Sequence, residues 1–268
     1  MADEVLLERV RPEVALVTLN RPKTLNSMNP GLVHGLYETL DAIAADRSVR
    51  VVVLTGAGRG FCSGHELGDM AGGFVDGADP STSPMSHQQL FAGLTTRIRS
   101  LPQPVIAAVN GPAAGGGLAL ALAADTRVCS ESARFNAAFV RIGLSGCDVG
   151  VSYLLPKIVG PTLAFEMMLT GRLVDAREAE RAGLVLRVVP DGQVVDAALE
   201  IADAILVNSP FGVWMTKEVM WANLDAPSLQ SAIDLENRTQ VLSAGTPDGR
   251  EAIMAFVEKR PPQFGRRT

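Results

Sequence analysis

The chain has 268 residues, of which 47% are hydrophobic and 20% charged, and its formal net charge is −5. This length suits one large domain or a domain with an appendage, and the apolar content is enough to fill a core. The acidic balance argues against a nucleic-acid-binding protein and against a basic patch for a membrane surface, so neither nucleic acid nor a membrane is an expected partner.

The cysteines and histidines indicate a reduced protein without a metal. Cys62, Cys129 and Cys147 are scattered and form no C-x-x-C pair, which is typical of free thiols in the cytoplasm. The three histidines have no metal-ligand spacing. The acidic N-terminus lacks the apolar stretch of a signal peptide, and no apolar run reaches membrane-spanning length. We therefore expect a cytoplasmic protein with no metal site.

Apolar strands and helical patterns alternate through the first two hundred residues. A helix is predicted to begin at Pro30 with Asn29 as its cap, because apolar residues then recur at helical spacing as far as Ile43. Two of the predicted strands are apolar at every position, as expected when both faces are buried. This alternation predicts the α/β class. Strands are predicted at residues 14–19, 51–54, 105–109, 127–129 and 185–189.

A glycine-rich turn follows each of the two fully apolar strands. Residues 61–67 form the first glycine turn and residues 110–118 the second. A strand that ends in such a turn and opens a helix presents unpaired backbone N–H groups. One turn alone is more typical of tight strand–helix packing. Two turns side by side aim two N–H groups at one carbonyl oxygen, which is the arrangement of an oxyanion hole.

Two further stretches differ in character from this alternation. Residues 71–84 are rich in Gly, Pro, Ser and Asp without a period, so they predict a loop, either a lid over the site or a surface insertion. Beyond about residue 205 the pattern is helical, with helices predicted at 213–221, 229–242 and 248–258.

The order of the motifs along the chain resembles the crotonase family, the enoyl-CoA hydratase/isomerase superfamily. The resemblance extends from about Val14 to about Phe264 and rests on LNRPKTLN at 19–26, LTGAGRGFCSG at 54–64, NGPAAGGG at 110–117, GL at 143–144, LPKIVG at 155–160, LTGR at 169–172 and AGLV at 182–185. It implies a crotonase/ClpP-like spiral of β-β-α units over residues 1–205, and a C-terminal helical trimerisation region over residues 206–268. The expected assembly is a homotrimer or a dimer of trimers.

The resemblance also implies the chemistry. Family members polarise the carbonyl of an acyl-CoA thioester with two backbone N–H groups, which map here to His65 and Gly116. CoA arrives as part of this substrate, and no permanently bound cofactor is expected. Family hydratases add water with two glutamates, but those positions hold Ala119 and Phe139. Because neither side chain transfers a proton, we expect ordinary hydratase activity to be weak or absent.

Asp148 is the candidate substitute for the missing acids. It lies among small and apolar residues, where desolvation disfavours a charged carboxylate. Some dienoyl-CoA isomerases of the family carry an acid near this place. Two interpretations stay open, a catalytic acid or base and a cap of the helix that follows.

The resemblance implies further contacts with the acyl-CoA substrate. Glu66 has a second interpretation as a salt-bridge partner, and Phe256 and Lys259 have second interpretations as core and surface residues. The predicted substrate-binding residues are Arg21, Lys23, Leu25, Cys62, Gly64, His65, Glu66, Leu67, Gly116, Phe256 and Lys259.

Two classes of function remain open. The first is an acyl-CoA enzyme in fatty-acid or related metabolism, favoured by the two turns and by Asp148. The second is a non-catalytic acyl-CoA carrier or sensor, favoured by Ala119 and Phe139. A ClpP-type protease, which shares the fold, is disfavoured because no Ser–His–Asp series is recognisable.

Overall fold

Strands and helices alternate along the chain in the computed structural model, which describes residues 3–66, 68 and 84–264. The strands are β1 (Val5–Arg11), β2 (Val14–Leu19), β3 (Val51–Gly56), β4 (Val105–Val109), β5 (Ala113–Ala114), β6 (Thr126–Ser130), β7 (Arg134–Asn136), β8 (Val174–Asp175) and β9 (Val188–Val189). The α-helices are α1 (Pro30–Ala45), α2 (Pro84–Arg99), α3 (Gly116–Ala123), α4 (Val151–Val159), α5 (Pro161–Thr170), α6 (Ala176–Arg181), α7 (Val194–Leu206), α8 (Pro210–Asn223), α9 (Leu229–Gly245) and α10 (Pro247–Val257). The predicted α/β class is confirmed.

Two sheets organise these elements. The larger sheet has the order β1-β2-β3-β4-β6-β9, and all its pairs are parallel except β1 with β2. The smaller sheet has the order β5-β7-β8. Because β3 and β4 are neighbouring parallel strands, their carboxyl ends lie at the same edge of the larger sheet.

Both faces of the larger sheet are covered, which explains the fully apolar strands. In β3, Val51 and Val53 face a core that includes α7, whereas Val52 and Leu54 face the larger core that includes α1, α2 and α3. The same alternation separates Ile106 from Ala107 in β4. A strand between two layers of helices has no solvent face and therefore needs no polar positions.

Strands β2 and β4 have the predicted bounds and α1 begins at the predicted residue, whereas α8 is longer than the predicted 213–221 and one short strand is shorter than predicted. Asn29 caps α1 by accepting a hydrogen bond from the backbone N–H of Leu32 at 2.8 Å. The strand predicted at 185–189 is limited to β9, because the N–H groups of Leu184 and Val185 still bond to the carbonyl of Ala179 in α6.

The C-terminal helices lie against the core through α8. The buried Lys217 pairs with Asp125 at 3.0 Å and donates to the carbonyl oxygen of Gln103 at 2.9 Å, and Trp221 Nε1 donates to Asp125 at 2.6 Å. The division of the chain at residues 205 and 206 remains a prediction. None of the helices within the described residues is long and apolar enough to cross a bilayer.

Candidate active site

The two glycine turns lie side by side at the carboxyl edge of the larger sheet. The backbone N–H of Ala114 donates to the carbonyl oxygen of Cys62 at 3.0 Å, and Cys62 in turn donates to Pro112 at 3.1 Å. These bonds form a short parallel bridge between Cys62 and Ala113. The two glycine turns are therefore close enough to each other for an oxyanion hole to form between them.

The backbone of His65 is oriented by a bridge to Met28 on the other side of the first glycine turn. Met28 donates to the carbonyl oxygen of Gly64 at 2.7 Å and accepts from the N–H of Glu66 at 3.0 Å. In a parallel bridge of this kind, the residue between the two bonded ones directs its own N–H to the opposite side. The His65 N–H therefore faces away from Met28.

Gly116 places its N–H close to the same turn. It is the first residue of α3, so its N–H has no partner within the helix. A Cβ atom added to Gly64 would lie 2.8 Å from the carbonyl oxygen of Ala114 and 3.4 Å from the Gly116 nitrogen, which shows how closely the backbones approach. Neither the His65 N–H nor the Gly116 N–H donates a hydrogen bond to any described residue.

Two asparagines fix residues 56–60, which lead into the first glycine turn, and their role was missed in the sequence analysis. The buried Asn26 donates to the carbonyl oxygens of Ala57 at 3.0 Å and Gly60 at 2.8 Å. Asn110 donates to Gly58 at 2.9 Å and accepts from the N–H of Gly56 at 3.1 Å. The signal was an asparagine within each motif, since an amide side chain satisfies loop backbone groups from a distance.

The positions of the missing glutamates are apolar and buried. Ala119 lies in α3, one turn after Gly115, and its N–H donates to the Gly115 carbonyl oxygen at 3.1 Å. The Phe139 ring lies against Gly115, because a Cβ on that glycine would be 3.4 Å from Phe139 Cε1. Neither side chain carries a titratable proton.

Asp148 does not cap the helix that follows it. The N-cap of α4 is Gly150, and no side chain accepts a hydrogen bond there. The half-buried Asp148 carboxylate instead accepts hydrogen bonds from the Gln88 amide of α2 and, at 2.8 Å, from the Val149 N–H. The cap interpretation is therefore wrong, because the carboxylate bonds to the loop and to α2.

The His65 side chain packs against α2. Its imidazole stacks on the Phe91 ring with the ring centroids 3.6 Å apart, and the His87 ring centroid lies 5.4 Å away. Burial first, and then the nearby His87, lower the pKa of His65 to about 4. His65 is therefore neutral at physiological pH.

This shift predicts an acid-sensitive fold. The unfolded chain binds a proton at His65 below about pH 6.5 and the folded chain only below about pH 4, so stability falls as the pH decreases through this window. A shift of this size lowers the free energy of unfolding by about 2 kcal/mol between pH 7 and pH 5 when the group is fully buried. Because the His65 side chain is partly exposed, we expect a loss of about 1 kcal/mol.

Urea unfolding at pH 7 and pH 5 checks this prediction. Between pH 7 and pH 5, the free energy of unfolding of His65→Gln is expected to fall by about 1 kcal/mol less than that of the parent chain. The surface variant His34→Gln serves as the control. An identical pH dependence for the parent and His65→Gln would contradict the prediction.

Some of the residues that are predicted to contact CoA near the first glycine turn already interact with other residues of the protein. Arg21 forms ion pairs with Glu66 at 2.7 Å and with Glu4 at 3.2 Å, so its charge is balanced within the protein. Lys23 is exposed. The Leu25 carbonyl oxygen accepts a hydrogen bond from Ser63 at 3.0 Å, which places Leu25 beside the turn.

The remaining predicted contacts are buried, exposed at the end of α10, or outside the described residues. Cys62 is buried, which raises the pKa of its thiol to about 12, and its backbone N–H and carbonyl oxygen are already bonded to Pro112 and Ala114. Phe256 and Lys259 are exposed at the end of α10. Leu67 and residues 71–83 of the predicted loop lie outside the described residues, whereas Pro84, the last residue of that prediction, begins α2.

Comparisons with known proteins identify relatives of this chain. Residues 9–267 match the family model described as enoyl-CoA hydratase/isomerase. A protein named probable enoyl-CoA hydratase from Mycobacterium bovis is 48% identical over 97% of this chain and 92% of its own length. The 1,2-epoxyphenylacetyl-CoA isomerase of Escherichia coli is 37% identical over 97% of this chain and 98% of its own length.

A solved structure extends the comparison to the fold. The crystal structure of a probable enoyl-CoA hydratase/isomerase from Mycobacterium abscessus superposes with a TM-score of 0.89 and 42% identity, covering 99% of this chain and all of that chain. The crotonase-type fold predicted from the motifs is thereby confirmed. The chain belongs to the enoyl-CoA hydratase/isomerase family.

Proposed function

We propose that the chain binds an acyl-CoA thioester and stabilises its enolate by hydrogen bonds from the His65 and Gly116 backbone N–H groups. The observation that carries this proposal is the pair of adjacent glycine turns with two N–H groups unpaired among the described residues. Preorganised donors of this kind typically contribute about 3 kcal/mol to the transition state. Loss of a proton from the acyl chain and addition of water to an enoyl double bond both form an enolate, so the two donors suit either reaction. Isomerisation is favoured because Ala119 and Phe139 carry no acid for the addition of water.

Asp148 is the proposed acid or base for this proton transfer. The Gln88 amide and the Val149 N–H hold its carboxylate, and α2 carries both Gln88 and the His87 that lies near His65. One of the relatives is named as an isomerase, which supports isomerisation as the class of reaction. Ala119 and Phe139 argue against the usual addition of water.

The alternative function is a non-catalytic acyl-CoA carrier or sensor. The apolar burial of Ala119 and Phe139 favours it, because a binding protein needs the two N–H donors and no acid. The two proposals share the acyl-CoA ligand and differ only in proton transfer. For either one, the three free thiols support the cytoplasmic location expected from the sequence.

Calorimetry with an acyl-CoA and with free CoA tests the shared part of both proposals. We expect the acyl-CoA to bind about tenfold more tightly, since free CoA ends in a thiol and has no thioester carbonyl oxygen to accept hydrogen bonds from the two N–H groups. Equal affinities would contradict a working oxyanion hole.

We also propose that the C-terminal helices associate with other copies of the chain. Phe256 is 86% exposed, and an exposed aromatic ring on an apolar helix face is typical of an interface. Exposed large apolar side chains of α8–α10 are Met220, Leu229, Ile233, Val241, Leu242, Ile253, Met254, Phe256 and Val257.

Light scattering tests this assembly. We expect a mass of several times 28.3 kDa, as in a trimer or a dimer of trimers, because association buries the exposed apolar side chains. Phe256→Asp is expected to lower the mass, and a surface change away from these helices, Glu8→Gln, is expected to preserve it. A single-chain mass for the parent protein would contradict the proposal.

A further inference from the structure

Three rings form a cluster beside the candidate hole. His65 and His87 both pack on Phe91, with ring centroids 3.6 Å and 4.6 Å from it, and their own centroids are 5.4 Å apart. His87 and Phe91 are four residues apart in α2, so they lie on one face of that helix. The cluster therefore joins the first glycine turn to α2.

The two imidazoles carry unused hydrogen-bonding capacity. The Nε2 atoms of His65 and His87 are buried and have no hydrogen-bond partner. No hydrogen bond joins either imidazole to a described residue. A buried polar atom without a partner is costly, so such atoms are rare unless a ligand or water uses them.

Other side chains with an unpaired buried atom differ from these histidines. Arg50 donates through its remaining nitrogens to the Leu206 carbonyl oxygen at 3.0 Å, and Asn136 donates to Gly171 at 3.2 Å. Each of these side chains is thus anchored in the fold by another polar atom. Within the part of the chain that the structure describes, the two histidines are held by ring packing, and their Nε2 atoms remain available.

We propose that His65 and His87 form a hydrogen-bonding subsite for an oxygen substituent, a hydroxyl or a keto group, on the acyl chain of the substrate. This inference rests on the proposed function. Since His65 supplies both the candidate N–H donor and an imidazole, a substituent a few bonds from the thioester carbonyl lies within reach of the pair.

The chemistry of the pair selects a neutral oxygen. A neutral imidazole donates through one nitrogen or accepts through it, according to its tautomer. A hydroxyl group both donates and accepts hydrogen bonds. It therefore donates to the unprotonated nitrogen of one imidazole and accepts from the N–H of the other. The buried, neutral imidazole of His65 supplies no positive charge to balance a negatively charged substituent.

Calorimetry with ligands of matched chain length tests the subsite. The probes are butyryl-CoA, 3-hydroxybutyryl-CoA and 4-hydroxybutyryl-CoA. We expect at least one hydroxylated ligand to bind the parent chain about tenfold more tightly than butyryl-CoA. The variant His87→Phe keeps the ring packing and loses the nitrogens. In this variant, the ratio of the affinity for the hydroxylated ligand to that for butyryl-CoA is expected to fall to about one.

Further variants separate hydrogen bonding from packing. His65→Phe retains the backbone N–H and is expected to lower the same ratio, whereas His87→Gln, which keeps a polar group, is expected to retain part of it. The surface variant His34→Phe is the control. Equal affinities in the parent chain, or a preference that survives both Phe substitutions, would overturn the subsite and leave the proposed function intact. Absence of binding by all three ligands would overturn both.

Discussion

Gly64→Ala is expected to slow deuterium exchange into a bound acyl-CoA by about 10²–10³-fold, the usual cost of one oxyanion-hole donor. Gly64 has a φ angle of +93°, and an added Cβ would lie 2.8 Å from the Ala114 carbonyl oxygen. The strain and the collision both move the two turns apart, and with them the His65 and Gly116 N–H groups. Proton NMR in deuterated water measures the rate.

Gly192→Ala is the matched control for this substitution. Gly192 has a similar φ angle of +85°, but an added Cβ would meet no atom within 4 Å. The backbone strain is therefore comparable, and the collision is absent. Equal exchange rates in the two variants would show that the close approach of the turns is unimportant for the chemistry.

Asp148→Asn is expected to slow the same exchange by about 10²–10⁴-fold, the range for loss of a general acid or base. Asparagine keeps an oxygen that accepts from Gln88 and from the Val149 N–H, so the loop is expected to keep its position. The variant removes the basic carboxylate and preserves the hydrogen bonds. Acyl-CoA affinity is expected to change much less than the exchange rate.

Asp191→Asn provides the corresponding control. Asp191 also accepts a backbone N–H, that of Ser132 at 3.1 Å, and lies after β9. Undiminished exchange in a folded Asp148→Asn variant would remove Asp148 from the mechanism and direct attention to the other titratable groups near the turn.

The sequence predicts the parts of the site that depend on local patterns. The fully apolar strands at 51–54 and 105–109 require burial on both faces, and the glycines that follow them mark turns. Since parallel neighbouring strands end at one edge, the proximity of Gly64 and Gly116 follows once the two strands are adjacent. Asn29 before Pro30 likewise determines the start of α1 by local capping.

Contacts between distant segments were missed for a physical reason. The hydrogen bond from Gln88 to Asp148 joins residues 60 positions apart, and nothing in either segment specifies the other. His87 is one of three histidines without metal-ligand spacing, and only the packing of α2 brings it to His65. Arg21 is a further example, because its charge is balanced by Glu66, which lies outside the motif that contains Arg21.

Exchange and hydration measured on the same preparation test the central claim most directly. The account predicts deuterium incorporation into an acyl-CoA with very slow or absent hydration of crotonyl-CoA, because Ala119 and Phe139 replace the acids that add water. Rapid hydration would contradict the account. So would the absence of exchange across short and long acyl chains, which would instead favour the acyl-CoA carrier.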